Sequence, residues 1–188
     1  MSMLVRFAPW IAFVVLTDVV DWRLGLVAGL VAALAVWWLS TPRKLGILDA
    51  AQLVFFAAVG VFAFLRPDSS LQHHMSNVSM AWFAAVAAAS ILIGRPFTMD
   101  FAGDDVTPEI AASSLYRSIH TTITAVWAAC FAGISAAGFI GTAVDRPAIG
   151  TVATVVLLIV AIKFSNDYPD KAVAAAGVHR PADTAAHA

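Results

Sequence analysis

Charge is what this sequence has least of. Asp, Glu, Lys and Arg make up only 12% of its 188 residues, about half the usual globular share. With 61% of the chain hydrophobic, a soluble domain of this size would lack the polar surface to cover itself. Composition therefore excludes an ordinary soluble protein and points to an integral membrane protein. The net charge of −1 excludes a basic nucleic-acid footprint. A lone cysteine, Cys130, excludes an intramolecular disulfide and any CxxC metal motif. GxSxG, HExxH and P-loop motifs are absent, so no enzyme class has a motif behind it. The acids of "DFAGDD" also lack the spacing partners of a metal-dependent phosphotransferase. No strand-like alternation runs through the apolar stretches, which excludes a β-barrel.

What remains is a series of long apolar runs. A bilayer core of about 30 Å needs about 20 helical residues, with a floor near 17. Six stretches meet or approach this, at about 4–21, 24–40, 48–66, 71–94, 112–142 and 147–165. Backbone groups in lipid must pair within their own segment, so these are helices. The expectation is an all-α integral membrane protein, a six-helix transmembrane bundle over 1–166. Residues 167–188 then form a polar, disordered cytoplasmic tail. The first stretch lacks an A-x-A cleavage site and is read as a retained span. Were 10–39 a single tilted helix, there would be five spans, with Arg23 stranded in lipid.

Local chemistry sets the boundaries. Pro42 closes the second span, and Arg66 before Pro67 ends the third. Ser69 or Ser70 can cap the fourth. Thr107, Pro108 and Glu109 provide an N-cap, a first-turn proline and a favourable acid. They launch a helix of about 35 residues that outruns the bilayer. Asp145 and Pro147 are expected to start the sixth span in the same way. With the N-terminus inside, Arg6, Arg43, Lys44, Arg95, Arg117, Lys163, Lys171 and Arg180 are cytoplasmic. Arg23, Arg66 and Arg146 are outside. That excess places both termini in the cytoplasm of a bacterial inner (plasma) membrane protein.

Polar residues inside such a chain are functional candidates because they are expensive there. Asp18 and Asp21 share one face of the first helix; they suit an outer ion site, or an interfacial pair with Arg23. His120, Thr121 and Thr124 lie in the fifth span, and Gln52 in the third lies at similar depth. This group suits a polar path or a set of interhelical hydrogen bonds. Arg95, Asp100, Asp104, Asp105, Glu109 and Arg117 gather in the loop before the fifth span. They suit a cytoplasmic docking segment, or simply negative charge at a helix N-terminus. His73, His74, Met75 and Met80 carry imidazole and thioether groups that suit copper as ligands, but adjacent histidines point apart on a helix. No metal and no cofactor is expected. Gly25 and Gly29 form a GxxxG pattern, and Ala84/Ala88 and Ala137/Gly141 extend the small-residue theme. Such stripes suit a tight bundle and a homodimer equally.

"GRPFT" followed by "IHTTITAVW" resembles a group of small bacterial polytopic membrane proteins that are like intracellular septation protein A. The matching residues are Gly94, Arg95, Pro96, Phe97, Thr98, Ile123, Thr124 and Trp127. The resemblance covers part of the chain. Where that family often carries Asn in the fifth span, this sequence has His120 nearby. It implies an inner-membrane protein of the envelope or division machinery and no catalytic residue. Two functions therefore stand. One is a non-enzymatic envelope protein acting through assembly or an unidentified protein partner. The other is a small oligomeric transporter or channel with a polar path near His120. The bilayer is the sure partner in both.

Overall fold

In a computed structural model the protein is helical throughout its described parts. The structure describes residues 3–39, 45–101 and 106–177, apart from the side chains of 3–7 and 18. Helices run α1 Met3–Val19, α2 Trp22–Leu39, α3 Ile47–Leu65, α4 Met75–Leu92, α5 Pro108–Ala112, α6 Ser114–Ala143 and α7 Ala148–Ala175. Single 3-10 turns occupy Ser70–His74 and Phe97–Phe101. Five segments are long and apolar enough to cross a membrane: Trp22–Leu39, Ile47–Leu65, Ser70–Leu92, Ser114–Ala143 and Ala148–Ala175. α1 is a 17-residue helix broken from α2 at Val20 and Asp21, so residues 10–39 are not one helix.

The chain forms two compact units, Met1–Val78 and Ser79–Ala188. In the first, α2 packs along both α1 and α3. Its core is aromatic: Trp10 lies 4.9 Å from Phe55 and 4.8 Å from Phe56, ring centre to ring centre. Phe13 lies 5.6 Å from Phe56. Glycine makes this approach possible. A Cβ at Gly29 would sit 2.6 Å from the Phe56 ring, and one at Gly25 would sit 2.8 Å from the Phe13 carbonyl oxygen. Both residues of the GxxxG pattern are thus used against helices of the same chain.

In the second unit, α6 and α7 pack along each other over a glycine-on-glycine crossing. A Cβ on Gly150 would approach the Gly138 Cα to 3.0 Å. Phe131 of α6 stacks on Phe83 of α4 at 5.2 Å. Trp127 donates to the Ser165 hydroxyl at 2.9 Å, and Ser165 donates to the Ala161 carbonyl at 2.7 Å. A hydroxyl that bonds back to its own helix is a low-cost way to carry a polar anchor in lipid.

Outward faces are apolar. Val152, Val155, Val156, Ile159 and Ile162 of α7 are all more than half exposed. Val14, Val31, Val54 and Val61 repeat the pattern in the first unit. So much contiguous apolar surface is untenable in water and ordinary in lipid. The chain is an α-helical, multi-pass membrane protein.

Most expected boundaries hold. α3 ends at Leu65 with Arg66 as C-cap, and Ser69 accepts from the Leu71 N–H at 3.2 Å. Thr107 caps α5 through the Ile110 N–H at 3.4 Å. Pro42 lies outside the described residues. Three expectations fail.

The helix launched at Thr107 is not about 35 residues long. Ser113 adopts extended backbone (φ −69°, ψ 145°) and accepts from the Tyr116 N–H at 3.2 Å, closing α5 and starting α6.

Asp145 does not cap α7. It takes a left-handed conformation (φ 54°). The Arg146 N–H reaches the Gly141 carbonyl at 2.7 Å, and the Asp145 N–H reaches that of Thr142 at 3.3 Å. This is a Schellman ending of α6, with aspartate where glycine is usual.

The tail does not begin at 167, because α7 continues through Pro169 to Ala175. Pro169 removes one helical hydrogen bond, but the Tyr168 hydroxyl donates to Thr122 of α6 at 3.4 Å and holds this stretch against its neighbour. Residues 178–188 lie outside the described residues.

Two substitutions test this packing. Gly150→Leu should destabilise the protein by about 1–3 kcal/mol, since neither backbone at the crossing can yield. Asp145→Gly should stabilise it by about 0.5–1 kcal/mol by relieving the left-handed residue. Thermal unfolding in detergent reads both, as a fall and a rise in midpoint.

Candidate functional site: a threonine clasp on the sixth helix

The Thr98 hydroxyl makes three polar contacts with α6, and its position follows from how α4 ends. Gly94 adopts φ 72°. Its N–H reaches the Ile91 carbonyl at 2.9 Å, and the Arg95 N–H reaches that of Ser90 at 2.9 Å. This is a glycine Schellman cap, with Pro96 next to forbid any continuation. The Ser90 hydroxyl donates to Ala87 O at 2.7 Å and accepts from the Phe97 N–H at 3.1 Å. The chain is thereby folded back into the turn 97–101, which packs against α6.

There Thr98 meets three groups. Its Oγ1 lies 3.1 Å from the His120 carbonyl oxygen, 3.0 Å from His120 Nδ1 and 2.8 Å from Thr124 Oγ1. Thr124 is wholly buried and Thr98 nearly so. A hydroxyl offers one donor and two acceptor lone pairs. All three contacts are satisfied when Thr98 donates to the carbonyl and accepts from Thr124 Oγ1–H and His120 Nδ1–H. That arrangement puts the imidazole proton on Nδ1 and leaves Nε2 as an acceptor. The Tyr116 ring packs on His120 at 4.4 Å. His120 and Thr124 therefore share a face, and what they hold is the 97–101 turn. Thr121 is half-buried and takes no part.

Gln52 belongs to the first unit. It is 2% exposed, and its Oε1 has no hydrogen-bond partner among the described residues. Asp21 accepts from the Arg23 N–H at 2.8 Å and pairs with the Arg23 guanidinium at 3.5 Å. It thus caps α2, in line with the interfacial reading. Asp18 lies in α1, with its side chain outside the described residues. Asp49 reaches back to the Gly46 N–H at 3.2 Å as the return half of a cap at the start of α3; glycine has no side chain to supply the other half.

Asp104 and Asp105 lie outside the described residues. Arg95 and Asp100 pair at 3.3 Å across the turn, the arginine open to solvent and the carboxylate largely covered. Glu109 is exposed on the first turn of α5. Its own backbone N–H and the Thr107 hydroxyl hold its carboxyl below the ordinary value, as expected at a helix start. Arg117 is exposed on α6. Among the described residues no three His, Cys, Asp or Glu come together as a metal site would require.

The hub residue, Thr98, is absent from the sequence-derived candidates, although it ends the "GRPFT" motif. Its partners stand 22 and 26 positions away. The available signal was the pairing of "GRPFT" with "IHTTIT" itself. Comparison with protein families, with curated proteins and with solved structures found no match.

Thr98→Val should cost about 1–2 kcal/mol, because it strands the His120 imidazole and the Thr124 hydroxyl. Thr98→Ser should cost far less, since the hydroxyl stays. Gln52→Leu should be neutral or stabilising, as it deletes a buried carbonyl that has no partner. Chemical unfolding in mild detergent distinguishes the three.

Proposed function

We propose that this chain is a non-enzymatic, inner-membrane protein of the cell envelope that acts through assembly or partner binding at the segment 95–117. The observation that carries the reading is the clasp. Thr98 pins the 97–101 turn to α6, and Arg95, Glu109 and Arg117 are exposed. A pinned loop loses less entropy on binding than a free one. The resemblance of "GRPFT…IHTTITAVW" to proteins like intracellular septation protein A supports an envelope or division role. In this reading α1, at 17 residues, is the sixth span, since the floor for crossing is about 17. Both termini are then cytoplasmic, and the lysine and arginine excess supports that orientation.

The buried, partnerless Gln52 carbonyl favours a second reading, a small oligomeric transporter whose polar path includes Gln52. A photo-crosslinker at Glu109, introduced in cells, separates the two. The envelope reading expects a specific protein adduct that disappears when Arg95, Asp100 and Arg117 are replaced by alanine. It also expects no change in any solute or proton flux from His120→Ala. An intact adduct in the alanine variant, together with a flux abolished by His120→Ala, would refute it.

A further inference from the structure

α7 carries a groove that the clasp does not use. Its 28 residues span about 42 Å, well beyond a bilayer core of about 30 Å. Its last turns therefore stand at the headgroup layer. There a cleft of about 280 Å³ is lined by Val160, Phe164 and Tyr168 on one side and Lys163, Asp167 and Lys171 on the other. Each set repeats every four residues, so the two form parallel rows. The aromatic wall is fixed. Phe164 and Tyr168 stack at 4.8 Å and 15°, and the Tyr168 hydroxyl is tied to Thr122. Val160 is 48% exposed, so the cleft opens onto the lipid-facing surface at that end. Among the described residues, Lys163, Asp167 and Lys171 make no ion pair or side-chain hydrogen bond.

We propose that this groove is a phospholipid site selective for a phosphoethanolamine headgroup. The charged row reads plus, minus, plus. A phosphate suits Lys163, and the primary ammonium at the end of the short ethanolamine arm suits Asp167, about 6 Å along the helix towards the water. An acyl chain continues down Phe164 and Val160 into the bilayer. A purely anionic headgroup would meet Asp167 unfavourably. A choline headgroup has no N–H to donate to it. Lysine stems can lie along the apolar wall while their ammonium groups stay at the interface.

The full-length chain is reconstituted in nanodiscs of equal phosphatidylethanolamine, phosphatidylcholine and phosphatidylglycerol, and retained lipids are counted by native mass spectrometry. Phosphatidylethanolamine should be retained roughly two- to fivefold over the other two, the range that solvent-accessible charge pairs supply. Asp167→Asn should bring it down to the phosphatidylcholine level. Lys163→Gln with Lys171→Gln should lower retention of all three. Asp167 is exposed and the amide is isosteric, so this variant keeps the test valid should the double variant fail to fold. Equal retention of the three lipids, a preference for phosphatidylglycerol, or selectivity unmoved by Asp167→Asn would each overturn the proposal.

Discussion

One hydroxyl organises a buried polar cluster in the second unit. Thr98 touches the His120 carbonyl, the His120 ring and Thr124, within 3.1 Å of each. The constraint behind it is general. In lipid a polar group finds no water, so it pairs inside the protein or is costly. Here a backbone turn, an imidazole and two threonines meet that constraint for one another. The Gly94 cap and the Ser90 hydroxyl bring the turn into place, and the clasp keeps it there.

The rest of the second unit follows the same economy of polar groups. Ser165 bonds back to α7 while accepting from Trp127, and Thr122 bonds back to α6 while accepting from Tyr168. Each anchor joins two helices without leaving a free donor. Elsewhere glycine does the joining, at Gly150 on Gly138 and at Gly29 under Phe56. Without hydrophobic drive between helices in lipid, close backbone approach and satisfied hydrogen bonds are what remain to hold them together.

Much of this was legible in the sequence. Hydropathy located the apolar helices, because lipid demands long uninterrupted runs. Proline, serine and threonine marked the end of α3, the turn before α4 and the start of α5, because capping is local chemistry. What was hidden depends on context. Ser113 is acceptable mid-helix, and only its extended backbone and bond to Tyr116 reveal a break. Asp145 reads as an N-cap, yet it closes the preceding helix instead. Polar residues after 165 read as a tail, yet Tyr168 keeps them on α6. Thr98 and His120 are 22 positions apart, and no periodicity joins them. Gln52 lies in the first unit and His120 in the second, and depth along a helix is all that the sequence gives of either.

The clasp separates a closed anchor from a wet path, and water access to Thr124 is the direct measure of which it is. In a Cys130→Ala background, Thr124→Cys in native membranes is exposed to a membrane-impermeant thiol reagent from each side in turn. A closed, satisfied cluster leaves the thiol unlabelled from both sides, while Glu109→Cys in the same background labels readily. Fast labelling at position 124 would contradict the clasp and make His120 part of a hydrated route.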